Sequence, residues 1–108
     1  SRREGDIVWK GVFISAESGQ MVRAIASGEV VYADWLGGFG NLLIIDHGGG
    51  YLSLYGNNEG LLKNPGDIVK AGDEIGIVGN TGGNRNSGLY LELRFKGKPF
   101  NPMKWVKL

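Results

Sequence analysis

Ser87-Gly88-Leu89-Tyr90-Leu91-Glu92-Leu93-Arg94-Phe95-Lys96-Gly97-Lys98-Pro99-Phe100-Asn101-Pro102 is the stretch from which the architecture can be read. From Leu89 to Phe95 apolar residues hold the odd positions, while Tyr90, Glu92 and Arg94 hold the even ones. Successive side chains of a strand leave opposite faces of the sheet, so this alternation predicts a half-buried strand. Leu89, Leu91, Leu93 and Phe95 are expected in a core. Tyr90, Glu92 and Arg94 are expected together on an open face, where a ring, an acid and a base in line mark a candidate site.

Outward from that strand the pattern repeats. Short β-rich runs are expected at Gly11–Ser15, Met21–Ile25, Gly28–Ala33, Leu42–Asp46, Tyr51–Tyr55, Ile68–Lys70 and Glu74–Val78, separated by glycine-rich turns. The chain has 20 glycines in 108 residues, against a usual share of about 7%, and they show no three-residue period. The fold class is therefore all-β, a barrel or sandwich of short strands. Asn101-Pro102 predicts a short C-terminal helical turn, with Met103, Trp105 and Val106 packing it on the sheet. Gly28-Glu29, Gly66-Asp67 and Gly72-Asp73 each place Gly-acid before an apolar run, a recurrent turn chemistry. Val69-Lys70-Ala71-Gly72-Asp73 is also similar to the hairpin of lipoyl and biotinyl carriers, but the residues flanking Lys70 are not those a modified lysine needs.

At 108 residues the chain is one domain with a single core. A net charge of +1 without a block of like charges argues against nucleic acid and against a polybasic membrane patch. No apolar run is long enough for a membrane-spanning helix, so direct membrane insertion is not expected. The first residues do not begin with Met and lack the apolar centre of a signal peptide, so we take residues 1–108 as one domain of a longer chain.

An inventory of reactive groups narrows the chemistry. A zinc hydrolase needs about three converging ligands, and the chain has one histidine, His47, and no cysteine. His47 precedes three glycines and reads as a turn residue. No Gly-x-Ser-x-Gly elbow is present, and Gly79-Asn80-Thr81-Gly82-Gly83 leads into a strand, not the helix a phosphate loop requires. No metal and no cofactor are expected.

The order of segments Gly19-x-x-Val22-x-Ala24, Gly28-x-Val30, Gly38-x-Gly40-Asn41, His47-Gly48, Tyr55-x-Asn57, Gly66-Asp67-x-Val69-x-x-Gly72, Val78-Gly79-x-Thr81-Gly82 and Glu92-Leu93-Arg94-x-x-Gly97-x-x-x-Asn101-Pro102 resembles the LytM, or M23, peptidoglycan endopeptidase domain over nearly the whole chain. In that family a His-x-x-x-Asp pair and the second His of His-x-His hold zinc, and further catalytic histidines stand at the first His of that motif and in Tyr-x-His. Here Trp9 and Phe13 stand at the first pair, Gly88 and Tyr90 at the second motif, and Asn57 in place of the last histidine. Trp9-Lys10-Gly11, Ala33-Asp34-Trp35-Leu36, Gly38-Phe39-Gly40, Ser53-Leu54-Tyr55-Gly56 and Leu89-Tyr90-Leu91-Glu92-Leu93-Arg94 are similar to the degenerate LytM domain of EnvC-type murein hydrolase activators.

The resemblance implies a non-enzymatic protein. Such domains bind and activate periplasmic zinc-dependent N-acetylmuramoyl-L-alanine amidases during daughter-cell separation, and a coiled coil precedes them. The expected partner is that amidase, captured through its regulatory helix, and the alternative is a peptidoglycan-binding module. Candidate partner-binding residues are Trp9, Lys10, Phe13, Trp35, Leu36, Phe39, Tyr55, Asn57, Tyr90, Glu92 and Arg94. Rings and Arg are the side chains that carry most interface energy, and an aromatic groove with a basic rim suits an amphipathic helix bearing acids.

Overall fold

A computed structural model describes residues 11–83 and 85–100. Among the described residues nine strands appear in chain order: β1 Gly11–Ser15, β2 Met21–Arg23, β3 Gly28–Leu36, β4 Gly40–Gly48, β5 Tyr51–Leu61, β6 Ile68–Val69, β7 Glu74–Val78, β8 Gly88–Phe95 and β9 Lys98–Phe100. No helix occurs among the described residues. Trp9, Lys10 and the expected C-terminal turn lie outside them. All strand pairs are antiparallel, in the order β9-β8-β5-β4-β3-β6, with β1 on β8, β7 on β5 and β2 on β7.

The alternating stretch is strand β8, and both of its edges are paired. One edge of β8 pairs with β5, from Tyr51 opposite Phe95 to Gly56 opposite Tyr90. Its other edge takes β1 at its first half and β9 at its second. Leu91 and Leu93 are buried as expected, and Leu91 packs in a core with Val30, Leu43, Ile45, Tyr55 and Ile75. Phe95 departs from the expectation and is 38% exposed. It lies at the strand end, beyond the core, against the Tyr51 ring at 4.6 Å with the Lys96 ammonium 5.3 Å from its centroid. The even face is not open either, because Glu92 is 0% exposed.

Two runs extend further than their composition suggests, and a third strand, β9, was not expected. Strand β3 continues through Trp35 and Leu36 into a hairpin with β4, closed by the Phe39 N–H on the Leu36 carbonyl at 3.0 Å. Strand β5 continues past Gly56 because Asn57 bulges there at φ +72°, a conformation Asn tolerates better than most residues. Strand β9 contains Pro99, which an edge strand accepts since the missing N–H is not required by a neighbour.

The two Gly-Asp turns are built alike. Asp67 Oδ2 accepts from the Asn64 N–H and Asp73 Oδ2 from the Lys70 N–H, at 2.8 and 2.9 Å. Gly66 and Gly72, both at positive φ, donate to the carbonyls of Val30 and Ala24. The same turn, repeated six residues on, thus clips successive points of one core segment.

Candidate functional site

Tyr90 is seated by residues that have no side chain. Gly56 of β5 lies opposite it, and Gly11 of β1, paired with Glu92, lies under its ring. A Cβ at 11 would stand 2.9 Å from the Tyr90 Cζ, and one at 56 would stand 3.4 Å from its Cδ2 and 3.1 Å from the Phe39 carbonyl. The ring fills that slot and meets Phe39 from the β3–β4 hairpin, centroid to centroid 5.6 Å and tilted by 57°. Beside the pair opens a cleft of about 270 Å³ lined by Gly38, Phe39, Asn57, Gly82 and Tyr90.

Asn57 holds this cleft together. It is 1% exposed, its Nδ2 donates to the carbonyls of Gly79 and Gly88 at 2.7 and 2.9 Å, and its Oδ1 accepts from the Gly82 N–H at 2.7 Å. Its own N–H donates to the Phe39 carbonyl at 2.7 Å. One side chain therefore joins the end of β7, the start of β8 and the glycine loop between them. Asn41, Asn58 and Thr81 were not expected near the site. The Thr81 hydroxyl donates to the Asn58 carbonyl and accepts from the Asn41 N–H, fastening the same loop to β4 and β5. Their signal in the sequence is a cluster of amide and hydroxyl side chains between glycines, which is also the signature of plain turns.

Below the cleft, Glu92 accepts from the Tyr90 hydroxyl through Oε1 at 2.7 Å and from Arg94 Nε through Oε2. The Arg94 side chain is 32% exposed and that of Glu92 is fully buried. Burial first, then the hydrogen bond to Glu92 and its negative charge, raises the Tyr90 hydroxyl well above the ordinary tyrosine value, so it stays protonated.

Phe13 lies opposite Tyr90 on β1 and is 38% exposed. Its ring takes the space over Gly88, where a Cβ would meet the Phe13 Cζ at 2.5 Å. Trp35 and Leu36, 56% and 43% exposed, stand on the hairpin that carries Phe39 but do not line the cleft. Tyr55 is corrected by the structure. It is 0% exposed in the core, its hydroxyl accepting from the Ile25 N–H at 3.1 Å, because it faces the side of β5 opposite the cleft. His47, expected in a turn, is in β4 and contacts the Ser27 carbonyl through Nδ1 at 2.7 Å and Ser53 Oγ through Nε2 at 2.6 Å. Ser53 Oγ in turn lies 2.8 Å from the Tyr55 hydroxyl.

The positions at which the resemblance implies zinc ligands and catalytic histidines carry, among the described residues, Phe13, Asn57, Gly88 and Tyr90. A phenyl ring and a glycine offer no donor, the Asn57 amide is spent on backbone groups, and the Tyr90 phenol is held neutral. These residues do not fit a zinc ion. Among the described residues no three His, Cys, Asp or Glu stand close enough to hold a metal.

The chain is 44% identical over 103 residues to the murein hydrolase activator EnvC of Escherichia coli, covering 95% of this chain and 25% of that protein. It is 43% identical over 98 residues to the murein hydrolase activator NlpD of the same organism, covering 90% of this chain and 26% of that one. It spans about a quarter of the length of these relatives. Among solved structures, the antimicrobial peptidase lysostaphin from Staphylococcus simulans superposes with a TM-score of 0.85 at 29% identity, covering 90% of this chain and 43% of that one. With the family's model matching residues 7–102 as well, the chain belongs to peptidase family M23, in a degenerate LytM-like form.

Proposed function

We propose that this chain is a non-catalytic activator of cell-wall amidases, working in the periplasm by capturing the regulatory helix of a zinc-dependent N-acetylmuramoyl-L-alanine amidase. The observation that carries the reading is the cleft beside Tyr90, walled by Phe39 and fixed by the buried Asn57 amide where a peptidase would hold its metal. The relatives EnvC and NlpD, both murein hydrolase activators, support the same reading.

Magnitudes show what the interface must contain. Shifting a partner from 1:99 closed to 99:1 open takes about 5.5 kcal/mol of differential binding. Phe13, Phe39 and Tyr90 are already largely covered, so at most about a third of their roughly 150–250 Å² each is left to bury. At ~25 cal/mol per Å² that is about 4 to 6 kcal/mol before association costs of at least ~4 kcal/mol. The rings alone fall short, so the charged rim at Arg94 and the exposed hairpin at Trp35 and Leu36 must contribute.

The test is dye release from labelled peptidoglycan by a purified zinc-dependent N-acetylmuramoyl-L-alanine amidase, with and without this chain, beside the chain alone. Stimulated release with the pair and none by the chain alone is the expected result. Release by the chain alone would overturn the non-enzymatic reading, and sacculus binding without stimulation would make it a peptidoglycan-binding module.

A further inference from the structure

We infer that Glu92 is a positioning residue for partner capture, holding Tyr90 and Arg94 in the conformations that the partner meets. The inference rests on the activator reading above. A fully buried carboxylate on a strand is costly unless both its oxygens are satisfied. Here each oxygen serves a different neighbour two residues away on the same face, Oε1 the Tyr90 hydroxyl and Oε2 Arg94 Nε. One group therefore sets two side chains at once.

The two consequences differ. For Tyr90, a pinned hydroxyl fixes the ring's angle to Phe39, which is the wall of the cleft. Arg94 is bound through Nε, the nitrogen on the stem side of the guanidinium, and no hydrogen bond to either Nη nitrogen is found among the described residues. The outer fork of the guanidinium is thus presented, already oriented, toward a carboxylate of the partner. Holding a long side chain in one rotamer before binding removes an entropy cost that the complex would otherwise meet. Across the strand pairs Glu92 faces Gly11 on one side and Leu54 on the other. Neither offers a competing hydrogen-bonding side chain.

Replacement separates this role from mere support of the fold. Glu92→Leu keeps the volume and frees both neighbours. Glu92→Gln keeps both contacts, with its oxygen accepting from Arg94 Nε and its amide donating to the Tyr90 oxygen. In the dye-release assay the readouts are the concentration of chain giving half-maximal stimulation and the ceiling reached. E92L is expected to raise the half-stimulating concentration by about tenfold with the ceiling unchanged, whereas E92Q stays within about threefold of the parent chain. In a Y90F/R94A background Glu92 has nothing to hold, and adding E92L should change the value by less than about twofold. An E92L chain that matches the parent, an E92Q chain as impaired as E92L, or a full E92L effect persisting in that background would each overturn the inference. If E92L shows no cooperative melt, Y90F decides, since it frees the ring alone: a rise of a few-fold supports the role, and an unchanged value overturns it. A parent chain that gives no stimulation would instead sink the activator reading itself.

Discussion

At one end of β5, Ser53 and Tyr55 tie the strand through His47 to the segment between β2 and β3. At the other, Asn57 and Asn58 tie it to the β7–β8 loop and to β4. Both are small polar networks in a sheet, and both satisfy backbone groups that would otherwise be buried alone. They differ in what lies next to them. The His47 network borders the core, so its loss should be felt by the whole fold. The Asn57 network borders the cleft, so its loss should be felt by the fold and by the partner together.

The sharpest way to break this comparison is Asn57→Ala. It strands the Gly82 N–H, takes a donor from the Gly88 carbonyl and from the Gly79 carbonyl, which keeps the Gly88 N–H, and places alanine at a positive φ, so a loss of about 3 kcal/mol in denaturant melts is expected, with amidase stimulation abolished. Asn57→Gly, which relieves the backbone but not the lost amide, should recover about 1 kcal/mol of stability and none of the stimulation. His47→Ala should cost about 2 kcal/mol by leaving Ser53 and the Ser27 carbonyl without their partner, yet stimulate normally at a temperature where it is folded. Impaired stimulation by folded His47→Ala would erase the distinction between the two ends.

A milder probe is alkaline pH. Burial, outweighing its hydrogen bonds from Ile25 and Ser53, raises the Tyr55 hydroxyl above its ordinary value. The unfolded chain therefore releases that proton first. The stability it contributes is whole below about pH 10 and falls above it by about 1.4 kcal/mol per pH unit until the folded hydroxyl ionises too. Tyr55→Phe should lessen the alkaline slope in melts taken between pH 9 and 11, leaving the share of Tyr90, whose hydroxyl is also raised, and an unchanged slope would show that Tyr55 contributes none of it. Phe39→Ala should have the smallest effect on stability, under about 1 kcal/mol, because the ring is half-buried at a hairpin tip. Its half-stimulating concentration should nonetheless rise by about tenfold if Phe39 is a wall of the partner site.

Much of this organisation is legible in the sequence. The alternation from Leu89 to Phe95 identifies strand β8, and the Gly-Asp pairs mark the turns at 66 and 72. Alternation was less informative on β5, where Ser53, Leu54 and Tyr55 are all buried. A strand covered on both faces shows no polar side, so nothing in its pattern assigned Tyr55 to the core. Glu92 is a candidate site residue from the sequence, but its burial was hidden for a different reason. A carboxylate signals exposure unless its partners are known, and here they lie on its own strand at a spacing shared by any polar sheet face. Asn57 carried a turn-like context, and the bulge that keeps β5 running past it is settled by contacts from the distant Gly79, Gly82 and Gly88.

The packing at Gly88 bears on how such a chain could change over generations. Any side chain there would strike the Phe13 ring at 2.5 Å and also the Ile14 carbonyl at 2.6 Å, which is main chain and cannot swing aside. A histidine introduced at that position would need β1 to shift as well as the phenyl ring to leave. A lone Gly88→His substitution therefore costs stability before its imidazole gains any use, so a change in β1 would have to come first.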